Sequence, residues 1–221
     1  MLVAGLVVLS LAGQFSGHVL GHGRLLGFVH LFNLDAESNV PTYVSVLFFV
    51  WAALLTGLLA RHAWIHRAPY RWHWLGLAIA LVYMSLDDFA RLHESLVEPM
   101  QTHLGLTYFT WVFPGMVVVA LFAGAYIPFL RSLAPRWRRL FVISGAMFVG
   151  GAIGGELLQG WYLAAHDGST SLTYELIATV EETMELMSLV LLIYTLLELL
   201  RVRDIQLQVS FEHSRSPEAS E

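Results

Sequence analysis

Six stretches of almost unbroken apolar residues dominate the chain, from about Leu2 to Leu20, Thr42 to Ala60, Trp74 to Glu94, Thr107 to Leu130, Leu140 to Ala165 and Leu176 to Leu197. Each is close to the roughly 20 residues that a helix needs to cross a bilayer. The pattern predicts an all-α fold, a polytopic membrane bundle of six transmembrane helices over residues 1–203, followed by a tail. The first stretch also has the length of a secretory signal. No basic leader precedes it, however, and Gly17, His18, Gly21 and His22 match a small-residue cleavage site poorly, so it is read as helix one.

Arginines sort the connections into two sets. Arg61, Arg67 and Arg71 lie between the second and third stretches, Arg131 to Arg139 holds four arginines between the fourth and fifth, and Arg201, Arg203 and Arg215 follow the sixth. Only Arg24 and Arg91 fall on the other side. Positive residues concentrate on cytoplasmic loops, so both termini are expected in the cytoplasm, as an even number of spans requires. After Arg203 the chain turns polar and ends Ser-Pro-Glu-Ala-Ser-Glu, so 204–221 is expected to be a disordered cytoplasmic tail.

Composition sharpens this picture. Hydrophobic residues make up 57% of the 221 and charged ones 13%, against roughly a quarter charged in soluble domains. The net charge of -5 argues against nucleic-acid binding. There is no cysteine and no lysine, which excludes disulfides, thiolate metal sites, cysteine nucleophiles and lysine Schiff bases. Chemistry must come from carboxylates, hydroxyls and imidazole.

The acids are unevenly placed: twelve of the seventeen Asp and Glu residues fall in the outer loops or the outer halves of helices. Asp87 and Asp88 lie in the last turns of helix three, with His93 and Glu94 just beyond. Glu156 lies in the outer half of helix five, and Glu181, Glu182 and Glu185 in that of helix six. Each ionised acid near a bilayer centre costs roughly 2.5–3.5 kcal/mol on insertion scales, and neighbouring acids repel one another. Arg91 is the sole arginine nearby in sequence, so cations, shared protons or a wet cavity must offset the remaining charge.

Asp87, Asp88, His93, Glu156, Glu181, Glu182 and Glu185 are therefore candidate ligands of a divalent metal ion, zinc, manganese, iron or calcium. Neither Glu-x-x-His nor His-Glu-x-x-His occurs, so the expectation rests on charge and not on a motif. The competing explanation is that helix-end acids are solvated at the interface and that Glu156 hydrogen-bonds between helices. His93 points about 100° from Glu94 on an ideal helix, so both reach one centre only where the helix ends or distorts. His18, His22, His30, His103 and Glu37 are further candidates, whereas His62 and His66 sit among arginines, where contact with phospholipid is expected.

Other features read as architecture. Asn39 suits a helix N-cap, with Pro41 in the first turn. Pro114 suggests a kink in helix four, and Gly150, Gly151, Gly154, Gly155 and Gly160 suggest close helix packing around Glu156. Thr-Tyr recurs at 42–43, 107–108 and 173–174, as a faded triplication or, more simply, as capping threonines beside interfacial tyrosines.

Glu37-x-Asn39-x-Pro41-Thr42 and Ser85-Leu86-Asp87-Asp88 followed by His93-Glu94 resemble a family of uncharacterised bacterial multi-pass membrane proteins. The likeness extends to Tyr108-Phe109-x-Trp111 and to the paired glutamates of helix six. The second acidic position looks more often like glutamate in that family and is the shorter Asp88 here. The resemblance implies a bacterial inner membrane and no particular reaction.

Three functions follow as expectations. One is a metal-dependent hydrolase of a lipid or a periplasmic small molecule, in which the ion activates water and Glu94 is the catalytic base. The second is a proton- or cation-coupled transporter, weakened by the near absence of ionisable groups in the inner halves. The third is a nonenzymatic accessory or sensory subunit.

Overall fold

A computed structural model of the chain describes residues 1–22, 25–93 and 111–205. Among the described residues every regular element is helical. Helix α1 spans Leu2–His18 and the short α2 Phe28–Phe32, after a 3-10 turn at Leu25–Gly27. The long helices α3 Val40–Ile65, α4 Arg71–Ala90, α5 Val112–Ser132, α6 Pro135–Ala165 and α7 Leu172–Val202 follow. Four of them, α3, α5, α6 and α7, are long and apolar enough to cross a membrane. Together with large apolar side chains exposed around the bundle, such as Trp51, Leu54, Val118, Leu121 and Val180, they mark a membrane protein, because water would not tolerate so much apolar surface.

Short connections set the topology. Five residues separate α3 from α4, two separate α5 from α6, and six separate α6 from α7, so each pair is antiparallel. Arg61, Arg67, Arg71, Arg131, Arg136, Arg138, Arg139, Arg201 and Arg203 consequently gather at one end of the bundle. Helix α7 is the centre: half of its apolar window is buried, against 11% for the peripheral α5. Helices α1, α3 and α6 pack on α7, and α4 pairs with α3. The larger core cluster, including Phe49, Leu59, Trp74, Phe129, Phe141, Leu189 and Leu196, fills the arginine-rich half.

Three details depart from expectation. The segment after α1 does not stay above the bundle; it turns back along α1, where Leu34 N donates to Ser10 Oγ (3.1 Å) and Val29 lies against Gly13. This descent carries Asp35 and Glu37 down beside α7. Second, Pro114 falls in the first turn of α5, where proline forfeits no helical hydrogen bond, so no kink arises there; Pro128 is the interior proline. Third, the glycines Gly150–Gly155 form a π-helical segment within α6. Glu94, His103, Tyr108 and Phe109, and residues 206–221 of the expected tail, lie outside the described residues.

Asn39 caps α3 as expected, its Oδ1 accepting from Thr42 N (3.1 Å). The same amide also donates to the carbonyls of His30 (3.0 Å) and Asn33 (2.6 Å), which pins the descending segment to the helix start. Asn39→Ala is expected to cost about 1–2 kcal/mol. Asn39→Asp should keep the cap but lose both donors; thermal melts of the two variants in detergent check the difference.

Candidate functional site

The C-terminus of α4 builds one wall of the acidic region. The helix ends at Ala90, and Arg91 adopts the left-handed conformation (φ 56°), its amide bonding back to the Asp87 carbonyl (2.7 Å). That turn reverses the chain, which is the distortion that His93 needs. Its backbone N–H donates to Asp87 Oδ1 (2.8 Å), and its ring Nδ1–H donates to Asp87 Oδ2 (3.0 Å). A carboxylate on Nδ1 leaves Nε2 as the ring's basic nitrogen. The imidazole lies 5.1 Å from the Trp111 ring at the start of α5.

Asp88 lies within reach of the Ser45 side chain of α3, and its buried Oδ2 has no hydrogen-bond partner among the described residues. Nearby, Arg91 pairs with Glu37 from the descending segment. Asp35, in the same segment and outside the spanning helices, has its pKa raised by burial of the carboxyl and then by the charge of Glu175.

Helix α7 supplies the other wall. Glu181, 7% exposed, accepts a hydrogen bond from Gln159 of α6. The glycines of the π segment make that approach possible: a methyl group on Gly155 would meet the Glu181 side chain at 2.6 Å, and one on Gly151 would meet Glu185 Cγ at 2.8 Å. The carboxylates of Glu182 and Glu185 accept no hydrogen bond from any described residue, although the Glu185 carbonyl accepts from Ser188 Oγ (2.6 Å). Both side chains are half-buried. Asp88, Asp35, Glu37 and Glu156 act on the charge of Glu182; Glu182, Glu181, Asp88 and Glu156 act on that of Glu185.

The acids of α4, α6, α7 and the descending segment therefore lie within electrostatic reach of one another, between the two walls. They do not, however, form a ready ligand set. Among the described residues no group of three His, Asp or Glu side chains stands close enough to hold a metal ion, because Asp87 is engaged by His93 and Glu181 by Gln159, while the remaining carboxylates repel. His18 joins the periphery, its Nε2 3.0 Å from Glu175 Oε1. His22 is exposed, and its carbonyl accepts from Ser16 Oγ (3.4 Å).

Several polar participants were missed in the sequence. Gln14, 2% exposed, links α1 to α7 by donating to Thr179 Oγ1 (2.8 Å). Gln159, Ser45 and Asp35 complete the set. Gln14 stands as a lone amide in an apolar helix and Gln159 lies three residues after Glu156, so both carried a signal; Asp35 carried none, because its position depends on the descent of its loop.

The architecture of helices, cap and acidic chamber runs through residues 1–199, and the profile of one family, described as a domain of unknown function (DUF8692), matches that same span. The chain belongs to DUF8692. This family carries no assigned activity, in keeping with the resemblance noted above. No curated protein and no solved structure matches this DUF8692 member.

Proposed function

We propose that this is a six-span bacterial inner-membrane protein, with both termini on the cytoplasmic, arginine-rich face, whose acidic chamber faces the periplasm and binds a divalent cation. One observation carries the reading. The carboxylates of Glu182 and Glu185 are half-buried, accept no hydrogen bond from any described residue, and the charges that act on them are those of other acids. Unpaired carboxylates inside a membrane protein must be offset by protons or by a cation, and a cation exchanged for protons draws the carboxylates inward around itself. Calcium suits an all-oxygen set of Asp88, Glu182 and Glu185; zinc, manganese or iron would recruit His93 through Nε2.

Elemental analysis of the full chain purified in mild detergent after equilibration with each ion tests this. One ion per chain is expected, lost in Glu182→Gln/Glu185→Gln. A folded wild-type chain that retains no ion would sink the reading.

The His93–Asp87 pair favours hydrolysis as a second reading. A bound ion would lower the pKa of a coordinated water, and an imidazole oriented by a carboxylate is suited to take its proton. Glu94, the expected base, is the next residue. The substrate class would be a lipid or periplasmic ester entering from the outer leaflet. A transport role has less support, since the large apolar cluster blocks the arginine-rich half.

A further inference from the structure

At the opposite end of the bundle from the acids lies a cavity of about 430 Å3 between the α3–α4 connection and the ends of α5 and α7. This falls within the size range of small-molecule sites. Its basic lining is His62, His66 and Arg203, and its aromatic wall is Tyr70, Trp74 and Phe129. The two imidazoles lie with centroids 4.3 Å apart and planes tilted by 49°, and Arg203 lies close enough to act on the charge of His62 and 5.7 Å over the Trp74 ring.

Among the described residues no carboxylate lines it. Glu198, the nearest acid in α7, is engaged by Arg136 (3.8 Å) and Arg201 (3.5 Å), and Asp204 lies outside the lining. Helix α4 begins at Tyr70 without a side-chain cap, so the positive end of a 20-residue helix adds to the same corner. Three nitrogen donor groups and an uncapped helix start, walled by aromatic rings, ask for an anion joined to an apolar body.

We propose that this cavity binds a phosphate-bearing anion, held by Arg203, His62 and His66, with the aromatic wall against its apolar part. A guanidinium engages phosphate oxygens in a fork, and neutral or charged imidazoles add N–H donors. The phosphate could arrive as the headgroup of an anionic lipid or as a free ion, and the two sources are separable.

Native mass spectrometry of the full chain in non-ionic detergent, titrated with dioctanoyl phosphatidylglycerol, is the test. Saturable binding of one lipid is expected. Arg203→Gln and His66→Gln should each weaken it about tenfold, while Arg138→Gln, a basic residue outside the lining, leaves it unchanged. Dioctanoylglycerol, which lacks the phosphate, should not bind. Competition by millimolar inorganic phosphate would assign the site to the free ion; lipid binding indifferent to phosphate would assign it to the headgroup.

Two outcomes overturn the proposal: dioctanoylglycerol binding as well as the phospholipid, or unaltered binding in both variants. A thermal melt confirms folding, and His66, an exposed residue, gives a second variant should Arg203→Gln fail to fold.

Discussion

Replacing Glu182 and Glu185 together by glutamine is expected to raise the melting temperature of the cation-free protein and to abolish any stabilisation by added cation. The charges that act on the two carboxylates are those of other acids, and each ionised acid within a span costs roughly 2.5–3.5 kcal/mol on insertion scales. Glutamine keeps the shape, adds a donor and removes the charge. A gain of about 1–3 kcal/mol in the apo state is reasonable for relieving unpaired buried charge.

The native chain is expected to behave in the opposite way. An ion present at a hundred times its dissociation constant contributes about 2.7 kcal/mol to folding, and that term vanishes in the variant. Melting curves of both proteins, with and without manganese, calcium or zinc, give the comparison. A double variant that melts lower than wild type without cation, yet retains the full cation-induced shift, would mean that these glutamates hold the bundle together and bind nothing.

The second large effect is expected at Gly151. A methyl group there would lie 3.0 Å from the Glu181 carbonyl oxygen as well as 2.8 Å from Glu185 Cγ. A flexible side chain can move aside, but backbone cannot, so Gly151→Ala must push α6 away from α7. Overpacking of this kind costs about 1–3 kcal/mol, and it should weaken cation binding as well, since the two walls of the chamber separate. Gly145, in the same helix, has nothing within 4 Å of its added methyl. Gly145→Ala is expected to be neutral or to stabilise by up to about 1 kcal/mol through helix propensity. Equal destabilisation by both substitutions would remove close α6–α7 contact from the explanation of the site.

Much of this protein was legible along its chain because the underlying forces are local. Lipid demands long apolar runs, so the six stretches fall on α1 and the five longer helices within about five residues, and four of these helices are long and apolar enough to cross a membrane. Asn39 and Pro41 announce the start of α3 through backbone groups only a few positions away. The segregation of arginines and acids to opposite ends follows once hairpins are counted. The gathering of Asp88, Glu156, Glu181, Glu182 and Glu185 followed from the same counting, since residues at equal depth on neighbouring helices meet.

What the tertiary structure alone decided involves partners far apart in sequence. Leu34 descends because Ser10, 24 residues earlier, accepts its amide, and this brings Asp35 and Glu37 into the chamber. Gln159 engages Glu181 across two helices because a π segment brings them close, a distortion no periodicity announces. The left-handed turn at Arg91, which folds His93 onto Asp87, is favoured neither by arginine nor by any local motif; it is set by the bonds it permits. Helix placement is a property of hydrophobic length, and the sequence shows it. Which side chains face one another is a property of packing, and it exists only after the helices have met.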